Sequence, residues 1–292
     1  MLIAILLCWV HLSVHAQQGA LLVSELLFQP ASGEAEYVEL YNRGDTAVDL
    51  ADWHIVRWIG DSLGRHYPLP AHRLEAHSYV VLSRDAASVL RCFDVHYPDR
   101  LLTCNLPPYP NAGGSVVLAL ADSTVVDRFD YSPSMHSRLL RDKAGVSLER
   151  RSFDRPSDEP SNWFSASSTA GYGTPGYTNS QSSEWLAAET DFVFSSTLLS
   201  PDGDGYQDLL ELGYRLDDGG LAARIEVYDV RGRRVRRLLD NGLLGTHGSL
   251  EWDGRSDDGQ LSPPGQYIVQ IVLFDTRGTR QTIRRTVALL SR

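Results

Sequence analysis

Short runs in which apolar and polar residues alternate, each closed by turn-forming residues, constrain this chain more than any other feature. Leu21 to Phe28, Tyr37 to Asn42, Tyr79 to Leu82, Val116 to Leu120 and Thr124 to Tyr131 all read this way. Pro30 to Gly33, Gly44-Asp45, Pro68 to Pro70 and Asn111 to Gly114 punctuate them. A period of two places one set of side chains on each face of a sheet, and strands this short and closely spaced specify a sandwich or barrel. Ser83 to Phe93 departs from the pattern. Ala86, Val89, Leu90 and Phe93 recur at helical spacing behind a cap at Ser83, which predicts a single short helix.

Between Ser157 and Ser183 the residues shift to Ser, Thr, Gly, Pro and Asn, so this stretch is expected to be extended surface chain ending in a linker. Seven further strands are predicted beyond it, near 190–196, 209–216, 223–230, 235–240, 249–252, 265–275 and 279–290. Their number and spacing suit an immunoglobulin-like sandwich. The expected fold is therefore all-β: two immunoglobulin-like β-sandwiches in tandem, with one short helix in the first. The predicted boundaries are a signal peptide at 1–16, a first sandwich at 20–180, a linker at 181–189 and a second sandwich at 190–292.

The signal peptide rests on the apolar run Leu2 to Val10 and on Val14-His15-Ala16 before Gln17, a small-residue pattern for cleavage, although no Lys or Arg precedes the run. The run is shorter than the roughly 20 residues a membrane span needs, so the mature chain is expected to carry no transmembrane segment. Cleavage leaves Cys92 and Cys104, a candidate disulfide in an exported protein. A net charge of −10 disfavours nucleic acid as a partner and is compatible with cations.

Several motifs are specific enough to suggest families. LLVSELLFQP (21–30), EYVELYNRGDTAVDLADWHI (36–55) and GTPGYTN (173–179) together resemble the lamin tail domain family, which implies an immunoglobulin-like fold over residues 20–180. Within it Val38, Leu40, Val48, Leu50, Trp53 and Ile55 are expected to fill one sheet face, and the Asn42 amide to satisfy backbone groups in a turn. In the second half, Tyr228 to Gly232, Trp252-Asp253-Gly254 and Pro264 to Tyr267 resemble the immunoglobulin-like module of flagellar hook-capping proteins. SPDGDGYQD (200–208) resembles a segment of C-terminal modules in gliding-motility and type IX secretion cargo proteins, which implies a Bacteroidetes-like exporter.

The candidate chemistry is sparse. Asp202, Asp204 and Asp208 alternate with glycines, and the Tyr206 carbonyl offers a further oxygen. Calcium takes six to eight oxygen ligands, so this is the candidate calcium loop, with Asp257 or Asp258 expected to complete its shell. Glu25 and Glu39 form a tempting carboxylate pair, but a solvated strand face or a hydrogen bond to a neighbouring loop explains them without catalysis. Arg231, Arg233, Arg234, Arg236 and Arg237 suit a charge-guarded sheet edge better than a phosphate grip. His66, His72 and His77 match no metalloprotease spacing. The expected function is a non-enzymatic secreted or cell-surface binding or structural protein. Its expected partners are an extracellular protein or polysaccharide, and secretion machinery for the C-terminal module. The alternative is an accessory targeting protein for an exported hydrolase or nuclease.

Overall fold

The computed structural model describes residues 19–290, so the expected signal peptide at 1–16 lies outside the described residues. The described chain divides into two compact units. The first comprises residues up to His136, Asp142–Ala166 and Gly171–Asn179; the second comprises Ser137–Arg141, Ser167–Ala170 and Ser180 onward. Residues 181–189, read from composition as a linker, belong to the second unit. Gln181 and Ser182 are buried there, and Gln181 Nε2 donates to the Leu244 carbonyl at 3.0 Å.

The first unit contains β1 (Leu21–Leu27), β2 (Tyr37–Asn42), β3 (Val48–Asp49), β4 (Trp53–Ile59), β5 (Ser62–Pro68), β6 (Arg73–Leu74) and β7 (Ser78–Ser83). The helix α1 (Ala86–Cys92) follows, then β8 (Leu101–Thr103), β9 (Gly114–Leu120), β10 (Val125–Tyr131), β11 (Leu148–Arg150) and β12 (Trp163–Ser165). Six strands form one sheet in the order β12-β11-β1-β2-β7-β8, four form a second in the order β10-β9-β4-β5, and β3 pairs with β6. Val23, Leu26, Val38 and Leu40 from the six-stranded sheet share one buried cluster with Trp53, Ile55, Leu118 and Phe129 from the four-stranded sheet. The apolar set expected from sequence (Val38, Leu40, Val48, Leu50, Trp53 and Ile55) lies entirely within that cluster.

The six-stranded sheet is buried on both faces. Leu27, Tyr37, Val81 and Leu101 meet Val89 of α1 on the face away from the main core. This is why every residue of β1 is buried. Within β1 the inward set runs Leu21, Val23, Leu26, Phe28: its phase slips by one residue where the pairing with β2 shifts register between Val23 and Glu25. A β-bulge re-aims side chains in this way. The freed Val23 N–H is met by Asp127 Oδ2 at 2.8 Å, and the same oxygen takes Arg150 Nη1 at 2.9 Å in a buried ion pair.

α1 starts later than predicted. Asp85 rather than Ser83 caps it, accepting from Ser88 N at 3.1 Å, while Ser83 ends β7 and its hydroxyl donates to Glu36 O at 2.8 Å. Of the apolar residues at helical spacing, Val89 is buried and Leu90 is 47% exposed. Cys92 and Cys104 are both free thiols, correcting the expected bridge. Cys104 packs against the main core, whereas Cys92 ends α1 and lies beside Glu34 and Ser88, so the two occupy separate surroundings.

The second unit contains β13 (Asp191–Phe194), β14 (Leu198–Leu199), β15 (Leu210–Arg215), β16 (Ala222–Asp229), β17 (Arg234–Leu243), β18 (His247–Trp252), β19 (Gly265–Asp275) and β20 (Gly278–Leu289). Sheets β13-β15-β18 and β14-β20-β19-β16-β17 enclose a core holding Phe192, Leu212 and Trp252 from one and Ile225, Val269 and Val287 from the other. The fold is all-β with sandwich units, and α1 is the one α-helix among the described residues.

Asn42 shows how a single polar side chain fixes a turn. Its Nδ2 reaches the carbonyls of Thr46 at 2.9 Å, Glu75 at 3.0 Å and Leu74 at 3.2 Å, and its Oδ1 accepts from Gly44 N at 3.0 Å. Asn42→Ala strands these groups and should cost about 1–3 kcal/mol in urea unfolding, whereas Asp45→Ala, at an exposed position, should cost under ~0.5 kcal/mol.

Candidate functional site

Glu25, Glu39 and Glu149 are directly opposite one another on three adjacent strands: Glu25 pairs with Glu149 across β1 and β11, and with Glu39 across β1 and β2. Side chains opposite each other share a face, so the sequence sets three carboxyls side by side. All three are 0% exposed. Like charges at that spacing in a dry setting are costly unless hydrogen-bonded or neutralised by protons.

The donors come from the GTPGYTN segment and from neighbouring strands. Thr174 N donates to Glu25 Oε1 at 3.0 Å. The Thr174 hydroxyl lies 2.9 Å from Glu25 Oε2 and 3.0 Å from Glu149 Oε1; with one hydrogen, it serves one carboxyl at a time. Tyr37 donates its hydroxyl to Glu25 Oε1 at 2.6 Å, and the Ser147 hydroxyl donates to the same oxygen. Gly176 N donates to Glu39 Oε2 at 2.6 Å. Asn179 closes the segment by donating from Nδ2 to Arg150 O at 2.8 Å and Ser24 O at 3.0 Å. The bland alternative for Glu25 and Glu39, a hydrogen bond to a neighbouring loop, is therefore the one observed; the solvated strand face is not.

The geometry explains the motif residue by residue. A Cβ at Gly173 would lie 2.6 Å from the Phe93 ring and 2.7 Å from the Tyr37 hydroxyl, so only glycine lets the segment approach this closely. Gly176 has φ +95, a left-handed turn that aims its N–H at Glu39. Tyr177 beyond it stacks on His96 at 4.0 Å.

The carboxyls are not equivalent. Burial raises Glu25 above the usual carboxylate range, but hydrogen bonds from Ser147, Tyr37 and Thr174 oppose the shift. Glu39 is raised much further, by burial and by the adjacent charge of Glu25. Its Oε1 is buried with no hydrogen-bond partner, a position that costs least when the carboxyl is neutral. Both shifts run upward, and the larger one makes Glu39 the carboxyl of this pair that favours its proton more, while Glu25 is the one surrounded by donors.

In the second unit, oxygens of Asp202, Asp204 and Asp208 lie within 4.8 Å of one another, as the calcium expectation requires. Gly203 N and Gly205 N each donate to Asp208 at 2.7 Å, and Tyr206 N donates to Asp204 at 2.8 Å. Asp257 does not join them. Its Oδ1 accepts from Arg237 N at 2.9 Å and its Oδ2 lies 3.5 Å from Arg234 Nε, while the group of three includes neither Asp257 nor Asp258. The two loops do approach each other, since a Cβ on Gly254 would lie 3.2 Å from Pro201, but the Asp257 oxygens are engaged by the Arg237 backbone N–H and the Arg234 side chain.

The arginine run lies on edge strand β17 and in the turn before it. Arg237 Nε is 3.0 Å from buried Glu226, with Arg224 and Arg234 each at 3.5 Å, and Arg233 pairs with Asp229 at 2.8 Å. Arg236 donates to Ser256 O at 3.0 Å. These cations are committed to internal partners at an edge, which is the charge-guarded arrangement. His77 pairs with Asp45 at 3.1 Å and His66 with His54, so the histidines grouped from sequence are held apart.

The architecture is that of an all-β protein of immunoglobulin-like sandwiches. Residues 15–133 match the family model described as Lamin Tail Domain. No curated protein matches the chain. Among solved structures, it is similar to dimeric latent PorU from Porphyromonas gingivalis, at 10% identity over 94% of this chain and 20% of that one, with a TM-score of 0.29. It is also similar to PorZ of the same organism, described as an essential bacterial surface component of the type IX secretion system. That likeness has 11% identity over 92% of this chain and 38% of that one, and a TM-score of 0.30. The chicken CNTN1 FN1-FN3 domains follow at 9% identity over 93% and 64%, with a TM-score of 0.22. The chain therefore spans less than two thirds of each. No helix among the described residues is long and apolar enough to cross a membrane.

The upward shift at Glu39 has a measurable consequence. A carboxyl that binds its proton more tightly when folded contributes stability that is complete below its unfolded value of 4.5 and is lost as pH rises through the raised folded value. Glu39→Gln removes that loss, because the amide stays neutral and its oxygen can accept from Gly176 N. Its melting point should match wild type near pH 4 and exceed it by about 3 °C or more at pH 8. Glu25→Gln should instead destabilise by about 1–3 kcal/mol, since an amide nitrogen cannot accept from the donors around it.

Proposed function

We propose that this is a non-enzymatic binding and structural protein of the secreted or cell-surface kind, with the second module serving export or surface attachment. The observation that carries the reading is the state of the glutamate row. Three glutamates that are 0% exposed lie beneath residues 173–179, and Glu25 and Glu39 accept hydrogen bonds from the backbone of that segment. Acid–base catalysis needs a group within hydrogen-bond reach of a substrate proton, and these are 0% exposed. The lamin tail match over 15–133 supports a scaffold role for the first domain. The motif resemblances of 200–208 and 223–271 support a sorting or attachment role for the second. The partner on this reading is an extracellular protein or polysaccharide. Purified protein offered nucleic acid, polysaccharide and ester substrates should turn over none of them. Hydrolysis that co-purifies with the chain and disappears in Glu25→Gln that still folds would contradict the proposal. Activity appearing only with an exported hydrolase added would favour the accessory role.

Calcium in the loop holding Asp202, Asp204, Asp208 and the Tyr206 carbonyl is part of the same proposal, supported by the convergence of the three carboxylates. A ligand that binds only the folded state at about 100 times its Kd stabilises by about 2.7 kcal/mol. The melting point of the second unit should rise with calcium, fall back with chelator and be indifferent to both in Asp204→Ala. Equal midpoints for wild type in calcium and chelator would remove the site.

A further inference from the structure

We propose that His54 and His66 form a two-imidazole site for a copper(II)-type cation on the outer face of the four-stranded sheet of the first domain. His54 lies on β4 and His66 on the antiparallel β5, where His66 pairs with Val56, two residues along from His54. Trp53 and Ile55 point into the main core, so His54, Val56 and Trp58 point outward; Val56 and Trp58 form a small outer cluster with Val117, Ala119 and Leu63. The two half-buried imidazoles therefore stand on one face beside an apolar floor. Their Nδ1 atoms are 3.0 Å apart and their rings meet at 85°.

One further contact bears on which nitrogen is available. Ser123 Oγ lies 3.4 Å from His66 Nε2, held there by a turn in which Ser123 adopts φ +73. In the tautomer in which this hydroxyl accepts from Nε2–H, the His66 Nδ1 carries a lone pair on the side facing His54. Metal-bound histidines are oriented by this kind of contact at the far nitrogen. The Nδ1 pair then either shares one hydrogen directly or shares a cation.

The separation sits closer to one coordination geometry than to another. Metal–imidazole bonds are about 2.0–2.1 Å, and two such bonds to nitrogens 3.0 Å apart enclose an angle of roughly 90–97°. That is a cis pair in a square-planar or tetragonal shell, the geometry of copper(II) and nickel(II). Tetrahedral zinc would need the nitrogens about 3.3 Å apart. Copper also leads the divalent affinity order for nitrogen donors. Two protein ligands leave the remaining positions to water, which makes the site exchangeable.

Calorimetric and electron paramagnetic resonance titrations of the full chain with copper(II) chloride test this. Wild type should bind one equivalent whose spectrum shows nitrogen coupling. His54→Ala and His66→Ala should each lose that signal, Ser123→Ala should weaken binding by about 10-fold, and zinc chloride should bind at least about 10-fold more weakly than copper. His77→Ala, whose imidazole faces Asp45, should bind copper as wild type does. Circular dichroism of each variant separates loss of ligand from loss of fold. A nitrogen-coupled signal that persists in folded His54→Ala, or wild type that takes up no copper, would overturn the proposal and leave the pair as a direct imidazole hydrogen bond.

Discussion

Three carboxyl groups in a row inside a dry sheet face set the terms for the first domain. Glu25, Glu39 and Glu149 cannot all be ionised side by side, and none can be left without donors. The chain meets this with backbone N–H groups from Thr174 and Gly176, hydroxyls from Tyr37, Ser147 and Thr174, and an upward shift that favours the neutral form of Glu39. Residues 173–179 are more than a hundred positions from β1 and β2 in sequence, so the row ties the end of the domain to its beginning. Burying charge is poor as a source of net stability, because matched apolar groups often do as well. Its use here is specificity: only one placement of the segment satisfies the row.

Much of this was legible in the sequence. The alternating runs located β1, β2, β7, β9 and β10 to within a residue or two, because period-two burial leaves a plain trace. The asparagine turn was legible because Asn42 bonds Gly44 and Thr46 close by in sequence, while its reach to Leu74 and Glu75 was not. What stayed hidden depends on contacts between distant segments. Glu25 and Glu39 look like outward polar positions of two half-buried strands, and only the docking of α1 and of 173–179 on that face makes them buried. The bulge at Val23–Glu25 flips the phase of β1, and a one-residue slip cannot be separated from simple alternation in a strand of seven residues. Glu149 gave no warning, since its strand is three residues long.

The second domain divides in the same way. All seven predicted strands are present, and β19 spans the predicted residues. The loop of Asp202, Asp204 and Asp208 converges because its donors and acceptors lie within a few residues of each other. The expected contribution of Asp257 failed because it depended on a distant choice: the Arg237 backbone N–H and the Arg234 guanidinium of β17 engage that carboxylate. The misplaced helix cap and the absent bridge share this cause. Ser83 is claimed by the Glu36 carbonyl and Cys104 by the core.

The most direct test of the central claim is a carbon-13 NMR titration of the glutamate side-chain carboxyls with Glu39 assigned. A sealed row that shares out its protons predicts a Glu39 midpoint far above the ordinary glutamate value of about 4.3, with Thr174 and Gly176 amides protected from exchange. A Glu39 that titrates at the ordinary value, beneath freely exchanging amides, would mean the row is open to water and the account is wrong.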